Sequence, residues 1–245
     1  AAVHGGSSLY GETNAGGSSG QGTIFSLTPG LGTGRWVHRK LHDFCTETEN
    51  CDLTDGSQPN GGLLIDAAGN LFGASAGGGP DFSGTIFELS PRQTGKWKEK
   101  ILHDFCAPGC ADGQGPTGII RDESGNFYGT AVGFGTNGLG GTLFELAADG
   151  SFSALHAFCS ESDCADGHQP GAPPTLDTTG NLYGTTVIGG GNDIDDGHLG
   201  GGVVFELAAG SKFTVLHAFC AEANCTDGEA PWARLAVDSA GHLFG

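Results

Sequence analysis

The chain has 245 residues, 47 of them glycine, and a formal net charge of −18 at pH 7. So much glycine excludes a helical protein, because each glycine inside a helix costs about 1 kcal/mol, and the acidity excludes nucleic acid, which needs a basic surface. Since no apolar run approaches the roughly 20 residues of a membrane helix, we expect no membrane insertion in this segment. The chain does not begin with methionine, so we expect a mature or internal piece of a longer product.

A sequence block of about sixty residues occurs four times along the chain. Its marker, Leu-His-x-Phe-Cys, begins at Leu41, Leu102, Leu155 and Leu216, at offsets of 61, 53 and 61 residues. Self-similarity of this kind indicates one structural unit per copy, each stacked on the next. A catalytic group is needed only once, so groups that recur in every copy are predicted to belong to the scaffold. We therefore expect no enzyme.

Each repeat reads as four short strands. In the second repeat they are predicted over 62–66, 70–74, 85–89 and 100–106, with a tight glycine-containing turn between the first two. The last strand is predicted to carry Ile101, His103 and Phe105 on one face. Both faces are partly apolar, as in a sheet buried between two neighbours. The pattern predicts an all-β, β-propeller-like fold of four four-stranded repeats plus a partial extra hairpin. A β-solenoid, whose repeats are usually shorter, is the alternative.

We expect one repeat domain over residues 1–245. The predicted blades span about 1–61, 62–116, 117–171 and 172–231, followed by a partial blade over 232–245.

The two ends of the chain encode the same hairpin, because residues 2–11 resemble residues 236–245 in sequence. An unpaired edge strand is a template for pairing with another chain, and a head-to-tail contact that does not close makes filaments. We predict that the hairpin over 232–245 engages a neighbouring copy or unseen sequence of the same protein.

The eight cysteines form four local pairs, with three to five residues between partners. Disulfides across small loops tolerate this variation, because they only need Cα atoms within roughly 4.4–6.8 Å. A metal site and free thiols are the alternatives, although His103 and Cys106 should point to opposite faces of a regular strand. Disulfides imply a secreted or cell-surface protein. The predicted pairs are Cys45–Cys51, Cys106–Cys110, Cys159–Cys164 and Cys220–Cys225.

Two polar residues recur in every repeat. They are the histidines His42, His103, His156 and His217, and the aspartates Asp55, Asp112, Asp166 and Asp227, each followed by glycine. A buried histidine held by an aspartate or a backbone carbonyl, which joins strand to loop, explains the pattern without a ligand. The alternative is a ring of equivalent sites for a repeating ligand such as a polysaccharide.

An acidic loop over 191–198 occurs in the fourth repeat alone. Its candidate calcium ligands are Asn192, Asp193, Asp195 and Asp196, because Ca²⁺ prefers six to eight oxygen ligands. No glutamate closes the loop as in an EF-hand, so a solvated insertion is the alternative, and we expect no other cofactor.

The three tryptophans of the chain could serve either sugar binding or packing between blades. Trp36 and Trp97 lie in matching hairpins, and Trp232 stands alone. Tryptophan rings bind sugar faces when exposed, or pack between blades when buried.

Two resemblances rest on longer motifs. The corner Asp-Thr-Thr-Gly-Asn-Leu-Tyr at 177–183 resembles the inner hairpin of NHL-type propeller repeats. The larger block over 166–170, 177–186, 201–207 and 216–219 resembles the GloVer tandem repeat of secreted bacterial proteins with interchangeable C-terminal anchors. That resemblance implies an exported, surface-associated protein and transfers no catalytic residues. We expect a non-enzymatic extracellular structural or adhesive protein. The alternatives are a carbohydrate-binding propeller and a propeller hydrolase or lyase.

Overall fold

The computed structural model describes residues 2–4, 8–30, 34–45, 55–106, 109–136, 138, 140–191, 200–209 and 212–245. Strands dominate these residues, and the helical segments among them are two short 3₁₀ turns, Ser162–Cys164 and Ala223–Cys225. The predicted all-β class is therefore confirmed. None of the described helices is long and apolar enough to cross a membrane.

The chain forms two compact units, residues 1–105 and 106–245. The first unit holds two four-stranded antiparallel sheets in which consecutive strands are neighbours. Sheet 1 consists of β1 (Ala2–His4), β2 (Ser8–Thr13), β3 (Thr23–Pro29) and β4 (Trp36–Asp43). Sheet 2 consists of β5 (Gly56–Ile65), β6 (Leu71–Gly78), β7 (Thr85–Pro91) and β8 (Trp97–Asp104).

The second unit holds three antiparallel sheets. Sheet 3 consists of β9 (Gln114–Arg121), β10 (Phe127–Gly133), β11 (Thr142–Leu146) and β12 (Phe152–Ala157). Sheet 4 consists of β13 (His168–Pro170), β14 (Thr175–Leu176), β15 (Leu182–Ile188), β16 (Val203–Leu207) and β17 (Phe213–Ala218), and both β13 and β14 pair with β15. Sheet 5 is the hairpin of β18 (Ala236–Val237) and β19 (Leu243–Phe244).

The strands of the second repeat lie close to their predicted positions. The largest difference is β5, which begins at Gly56 rather than Gly62. Its pairing with β6 shifts register between Asn60 and Leu64, and Gly61 and Gly62 within it have positive φ. Because glycine pairs are typical of turns, the prediction began the strand at Gly62, whereas the strand continues through both glycines. The propeller arrangement and the blade boundaries stay predictions.

The Asp-x-x-Gly-Asn motif forms a turn that its own side chains hold closed. The Asp177 Oδ1 atom accepts hydrogen bonds from the backbone N–H groups of Thr179 (2.8 Å) and Asn181 (2.9 Å). The Asn181 side chain donates to the other carboxylate oxygen at 2.9 Å, and Gly180 supplies the positive φ that such a turn requires. The turns that begin at Asp66, Asp122 and Asp238 are built in the same way.

The glycine that follows the turns at Asp66, Asp122 and Asp177 makes room for a phenylalanine ring on the next strand. Gly184 lies directly opposite Phe205 in the sheet, and a Cβ atom on Gly184 would lie 2.6 Å from the Cζ atom of that ring. A side chain at this glycine would therefore displace the ring. The same arrangement joins Gly11 to Phe25, Gly73 to Phe87 and Gly129 to Phe144.

Phenylalanine pairs connect one sheet to the next within each unit. In the first unit Phe44, which follows β4, contacts Phe87 of sheet 2 with ring centroids 5.4 Å apart. In the second unit Phe158, which follows β12, contacts Phe205 of sheet 4 at 5.1 Å. All four rings are fully buried. The Phe of the Leu-His-x-Phe-Cys marker is thus core, and it places the preceding histidine at the same junction between sheets.

Candidate functional site

A β-bulge precedes the cysteine loop in each of the first four sheets. On β8, His103 pairs with Ile86 while Ile101 pairs with Phe87, so Leu102 is the extra residue. Equivalent register shifts leave Leu41, Leu155 and Leu216 as the extra residues in the other sheets. A bulge re-aims the side chains that follow it.

The bulge corrects two predictions about side-chain direction. Ile101 and His103 pair with adjacent residues of β7, which face opposite sides of the sheet, so they do not share a face as expected. Strand alternation also does not set the directions of His103 and Cys106, because β8 ends at Asp104 and Cys106 has a φ of 69°. Strict alternation does not hold across a bulge and a strand end.

The recurring histidine contacts the recurring aspartate in the first, third and fourth repeats. The distance from the Nε2 atom to the nearer carboxylate oxygen is 3.4 Å for His42 and Asp55, and 3.0 Å for His156 and Asp166. His217 and Asp227 lie 3.4 Å apart. These contacts confirm a histidine held by an aspartate, but the predicted burial is wrong for His217, whose side chain is 46 % exposed. His103 and Asp112 belong to different units.

The aspartate also holds the backbone of the cysteine loop. Asp166 accepts hydrogen bonds from the N–H groups of Ser160 (3.0 Å) and Glu161 (3.3 Å), and from the Ser160 hydroxyl (2.7 Å). Burial alone would raise the pKa of Asp166, but the hydrogen bonds from His156 and Ser160 outweigh it and lower the pKa to about 2. Asp112 likewise accepts from the Cys106 N–H at 3.0 Å. The His–Asp pair therefore braces a strand against a loop.

Three of the predicted cysteine pairs lie at disulfide distance: Cys106–Cys110, Cys159–Cys164 and Cys220–Cys225. The first cysteine of each pair has a positive φ, so each loop begins with a sharp change of chain direction. Cys51 lies outside the described residues, and its pairing with Cys45 stays a prediction.

Peptide mapping of the unreduced protein should recover four disulfide-linked loops. We expect the three described pairs and Cys45–Cys51, because the Asp55 carboxylate holds the Cys45 N–H as Asp112 holds that of Cys106. Reduced and alkylated protein digested in parallel is the control. A linkage between cysteines of different repeats would contradict the prediction.

One junction departs from the repeat. In the first unit Glu99 of β8 approaches the His42–Asp55 pair, and its Oε2 atom lies 3.7 Å from the His42 Nε2 atom. One nitrogen or oxygen atom from each of the three side chains lies within 4.8 Å of the others. At the matching position of sheet 4 stands Phe213, whose ring stacks on His156 with centroids 3.7 Å apart and planes 6° apart. A carboxyl group therefore replaces an aromatic ring.

The electrostatics of this junction follow from burial. The side chain of Glu99 is 15 % exposed, and its Oε1 atom makes no hydrogen bond with any described residue. Burial raises the pKa of Glu99 to about 10, and the adjacent Asp55 reinforces the shift. Burial would also raise the pKa of Asp55, but hydrogen bonds from His42, Glu99 and the Cys45 N–H lower it. The cluster thus concentrates two carboxyl groups around one imidazole.

Nothing within the second repeat alone distinguishes Glu99 from other glutamates. The available signal was its alignment, three residues before the bulged leucine, with Phe152 and Phe213 of later repeats. The third and fourth repeats have phenylalanine at this position and the first has His38, but only the structure shows that Glu99 meets His42 of the preceding sheet.

Residues 93–245 match the family model described as the Gloeobacter/Verrucomicrobia repeat. The chain belongs to this family. The match confirms a repeat-containing bacterial protein, while the interchangeable anchors and the NHL-type resemblance stay predictions. No curated protein matches the chain. Among solved structures, the extracellular domain of the protein BT4673 of B. thetaiotaomicron is similar at 12 % identity, with a TM-score of 0.33. The alignment covers 98 % of this chain and 37 % of that chain, so this chain spans little more than a third of the length of that extracellular domain.

The remaining candidate residues are distributed as follows. Asn192, Asp193, Asp195 and Asp196 lie outside the described residues, so the calcium loop stays a prediction. Trp36 and Trp232 are exposed, whereas Trp97 packs edge-on against Tyr10 at 6.3 Å. Trp232 lines an apolar cavity together with Phe219, Leu235 and Leu243.

Replacing His156 by alanine should lower the stability of the second unit by about 1–3 kcal/mol, because Asp166 would lose a buried partner and Phe213 its stacked ring. The matched change His217→Ala should cost less, since the His217 side chain is 46 % exposed against 15 % for His156. Urea unfolding of both variants measures the difference. Equal costs would show that the contact with Phe213 contributes nothing.

Proposed function

We propose that this chain is a non-enzymatic structural or adhesive module of a secreted or cell-surface protein, and that its four-stranded sheets are blades of a β-propeller. The three disulfide-distance cysteine pairs support an oxidising compartment. Membership in a tandem-repeat family supports a scaffold built from copies of one unit.

The observation that carries the proposal is the use made of the recurring polar residues. In the second unit His156 donates to the Asp166 carboxylate, which also accepts from the backbone of the cysteine loop. The fourth repeat does the same with His217, Asp227 and the N–H groups of residues 221 and 222. Histidine and aspartate often serve in catalysis, but in these two repeats they join the last strand of the sheet to the cysteine loop.

Adhesion is supported by aromatic side chains presented on loops. Phe82, between β6 and β7, is 57 % exposed with a φ of 54°, and Phe134, between β10 and β11, is 44 % exposed with a φ of 57°. A bulky residue in this region of φ is uncommon and costs of order 1–3 kcal/mol. Holding apolar rings toward solvent at such a cost favours a contact surface.

The proposal includes self-association of the chain, which sheet 5 supports. Among the described strands β19 pairs with β18 alone, and Phe244 on β19 is 58 % exposed. An unpaired, apolar strand edge favours pairing with another chain. We propose that a second copy of the chain pairs with this edge, head to tail.

Light scattering and negative-stain electron microscopy over a range of protein concentrations test this assembly. We expect wild-type protein to form elongated oligomers and Phe244→Asp to remain monomeric. Val37→Asp is the matched control, because Val37 is also 58 % exposed but lies in sheet 1. Wild-type protein that stays monomeric, or Phe244→Asp protein that still assembles, would contradict the proposed edge contact.

A carbohydrate-binding module is the second candidate, favoured by Trp232. Its indole is 65 % exposed beside the apolar cavity, and an exposed aromatic face suits the apolar face of a sugar ring. Affinity electrophoresis in gels containing bacterial polysaccharides should show retardation that Trp232→Ala abolishes and Trp36→Ala preserves. Unretarded wild-type protein would remove this candidate.

A further inference from the structure

We propose that His42, Asp55 and Glu99 form a binding site for one divalent transition-metal ion of the Zn²⁺ type, which joins sheet 1 to sheet 2. His42 comes from β4, Asp55 from the residue just before β5, and Glu99 from β8. The inference is independent of the proposed assembly, because all three residues belong to the first unit.

The spacing of the three side chains fits such an ion. Zinc binds imidazole nitrogen and carboxylate oxygen at about 2.0–2.2 Å, and tetrahedral geometry then places two ligand atoms roughly 3.3–3.6 Å apart. The His42 Nε2 atom lies 3.4 Å from the Asp55 Oδ1 atom and 3.7 Å from the Glu99 Oε2 atom. Movements of a few tenths of an ångström would bring all three ligands to bonding distance.

The donor set also fits the ion's chemistry. One neutral imidazole and two carboxylates would balance a charge of +2, whereas an all-oxygen site would suit Ca²⁺ or Mg²⁺ better. The two carboxyl groups are otherwise an unfavourable neighbour pair, because burial penalises each charge and each repels the other. A divalent cation between them would remove both penalties.

The surroundings hold the ligands in position. The Asp55 Oδ2 atom accepts a hydrogen bond from the Cys45 N–H, which leaves Oδ1 facing His42. The His42 ring packs edge-on against Phe44, with centroids 4.6 Å apart. Outer contacts of this kind fix the orientation of metal ligands and raise affinity. The ligand side chains are 15–17 % exposed, so the ion could enter and keep one water molecule.

The second unit builds the matching junction without a carboxyl group at this position. His156 and Asp166 reproduce the His–Asp pair, but Phe213 stacks on the imidazole where Glu99 approaches His42. The scaffold therefore works with phenylalanine at this position and does not require glutamate. An oxygen of Glu99, the Oε1 atom, is buried and makes no hydrogen bond with any described residue, which leaves a further ligand atom available.

Isothermal titration of Zn²⁺ into the oxidised, chelator-treated chain of 245 residues tests the site. We expect one ion per chain, and binding at least about 100-fold weaker in Glu99→Phe and in His42→Gln. Glu99→Phe copies the side chain that the second unit already uses, and Glu99→Gln replaces it if that variant does not fold. His156→Gln is the matched control and should bind like the wild type.

Three results would overturn the metal site. Wild-type protein that binds no Zn²⁺ would show that the cluster shares protons rather than a cation. Unchanged binding in both Glu99 variants would place the ion elsewhere, as would equal loss in His42→Gln and His156→Gln. Circular dichroism of each variant without metal separates lost binding from lost folding.

Discussion

Replacing Phe205 by alanine should lower the free energy of unfolding of the second unit by about 3–5 kcal/mol, the usual cost of removing a buried phenylalanine. The ring is fully buried. It contacts Phe158 at 5.1 Å and stacks on Phe213 at 5.5 Å, and so joins sheet 3 to sheet 4. Urea unfolding followed by Trp232 fluorescence, in a background with Trp36 and Trp97 replaced by phenylalanine, reports on the second unit.

A double-mutant cycle with Gly184 tests why the ring fits. Gly184→Ala alone should cost about 1–3 kcal/mol, because the new Cβ atom would lie 2.6 Å from the ring. In a Phe205→Leu background the same change should be neutral or stabilising, since alanine is better than glycine in a strand. Gly133→Ala is the control, because its nearest neighbours would lie 3.7 Å or more away. Additive costs would contradict the close fit.

The strands were predictable because the same sequence pattern occurs in all four repeats of the chain. Short apolar runs, glycine-containing turns and the Asp-x-x-Gly-Asn corner all predict the same strand boundaries. Such agreement between local signals is what allows a structure to be predicted from sequence. The turn at Asp177 illustrates this, since the Asp177 carboxylate accepts hydrogen bonds from Thr179 and Asn181 within the motif.

Features that depend on one extra residue were not predictable. The bulge at Leu102 inserts a residue without changing the residue types around it, so the alternation appeared continuous through His103. In sheet 4 the first strand is divided into β13 and β14, because Pro173 and Pro174 between them cannot donate hydrogen bonds to a neighbouring strand.

The candidate metal site was hidden for a different reason. The pairing of His42 with Asp55 was predictable, because both residues recur in every copy. Glu99 lies 44 residues beyond Asp55 in the sequence and reaches the pair only because sheet 2 packs against sheet 1. A pattern within one repeat carries no information about which residue of the next repeat faces it.

Replacing Asp166 by alanine should lower the stability of the second unit by about 3–5 kcal/mol at neutral pH, as expected when one partner of a buried charged pair is removed. Asp166 is 1 % exposed. Its loss would leave the N–H groups of Ser160 and Glu161 and the imidazole of His156 without their acceptor. Asp163→Asn is the control, because it removes a negative charge from an exposed position of the same loop.

The cost of Asp166→Ala should also depend on pH, with a sign fixed by the pKa. Burial opposes ionisation of Asp166, but hydrogen bonds from His156 and Ser160 lower its pKa from 3.8 to about 2. A carboxyl group whose pKa is depressed by folding stabilises the protein above its unfolded pKa, and that contribution is lost as pH falls through the folded pKa. The difference between wild type and variant should therefore be constant from pH 7 to about 4 and shrink between about 4 and 2. A difference that stays constant down to pH 2 would show that Asp166 acts through packing alone, and not as the charged acceptor that joins His156 to the cysteine loop.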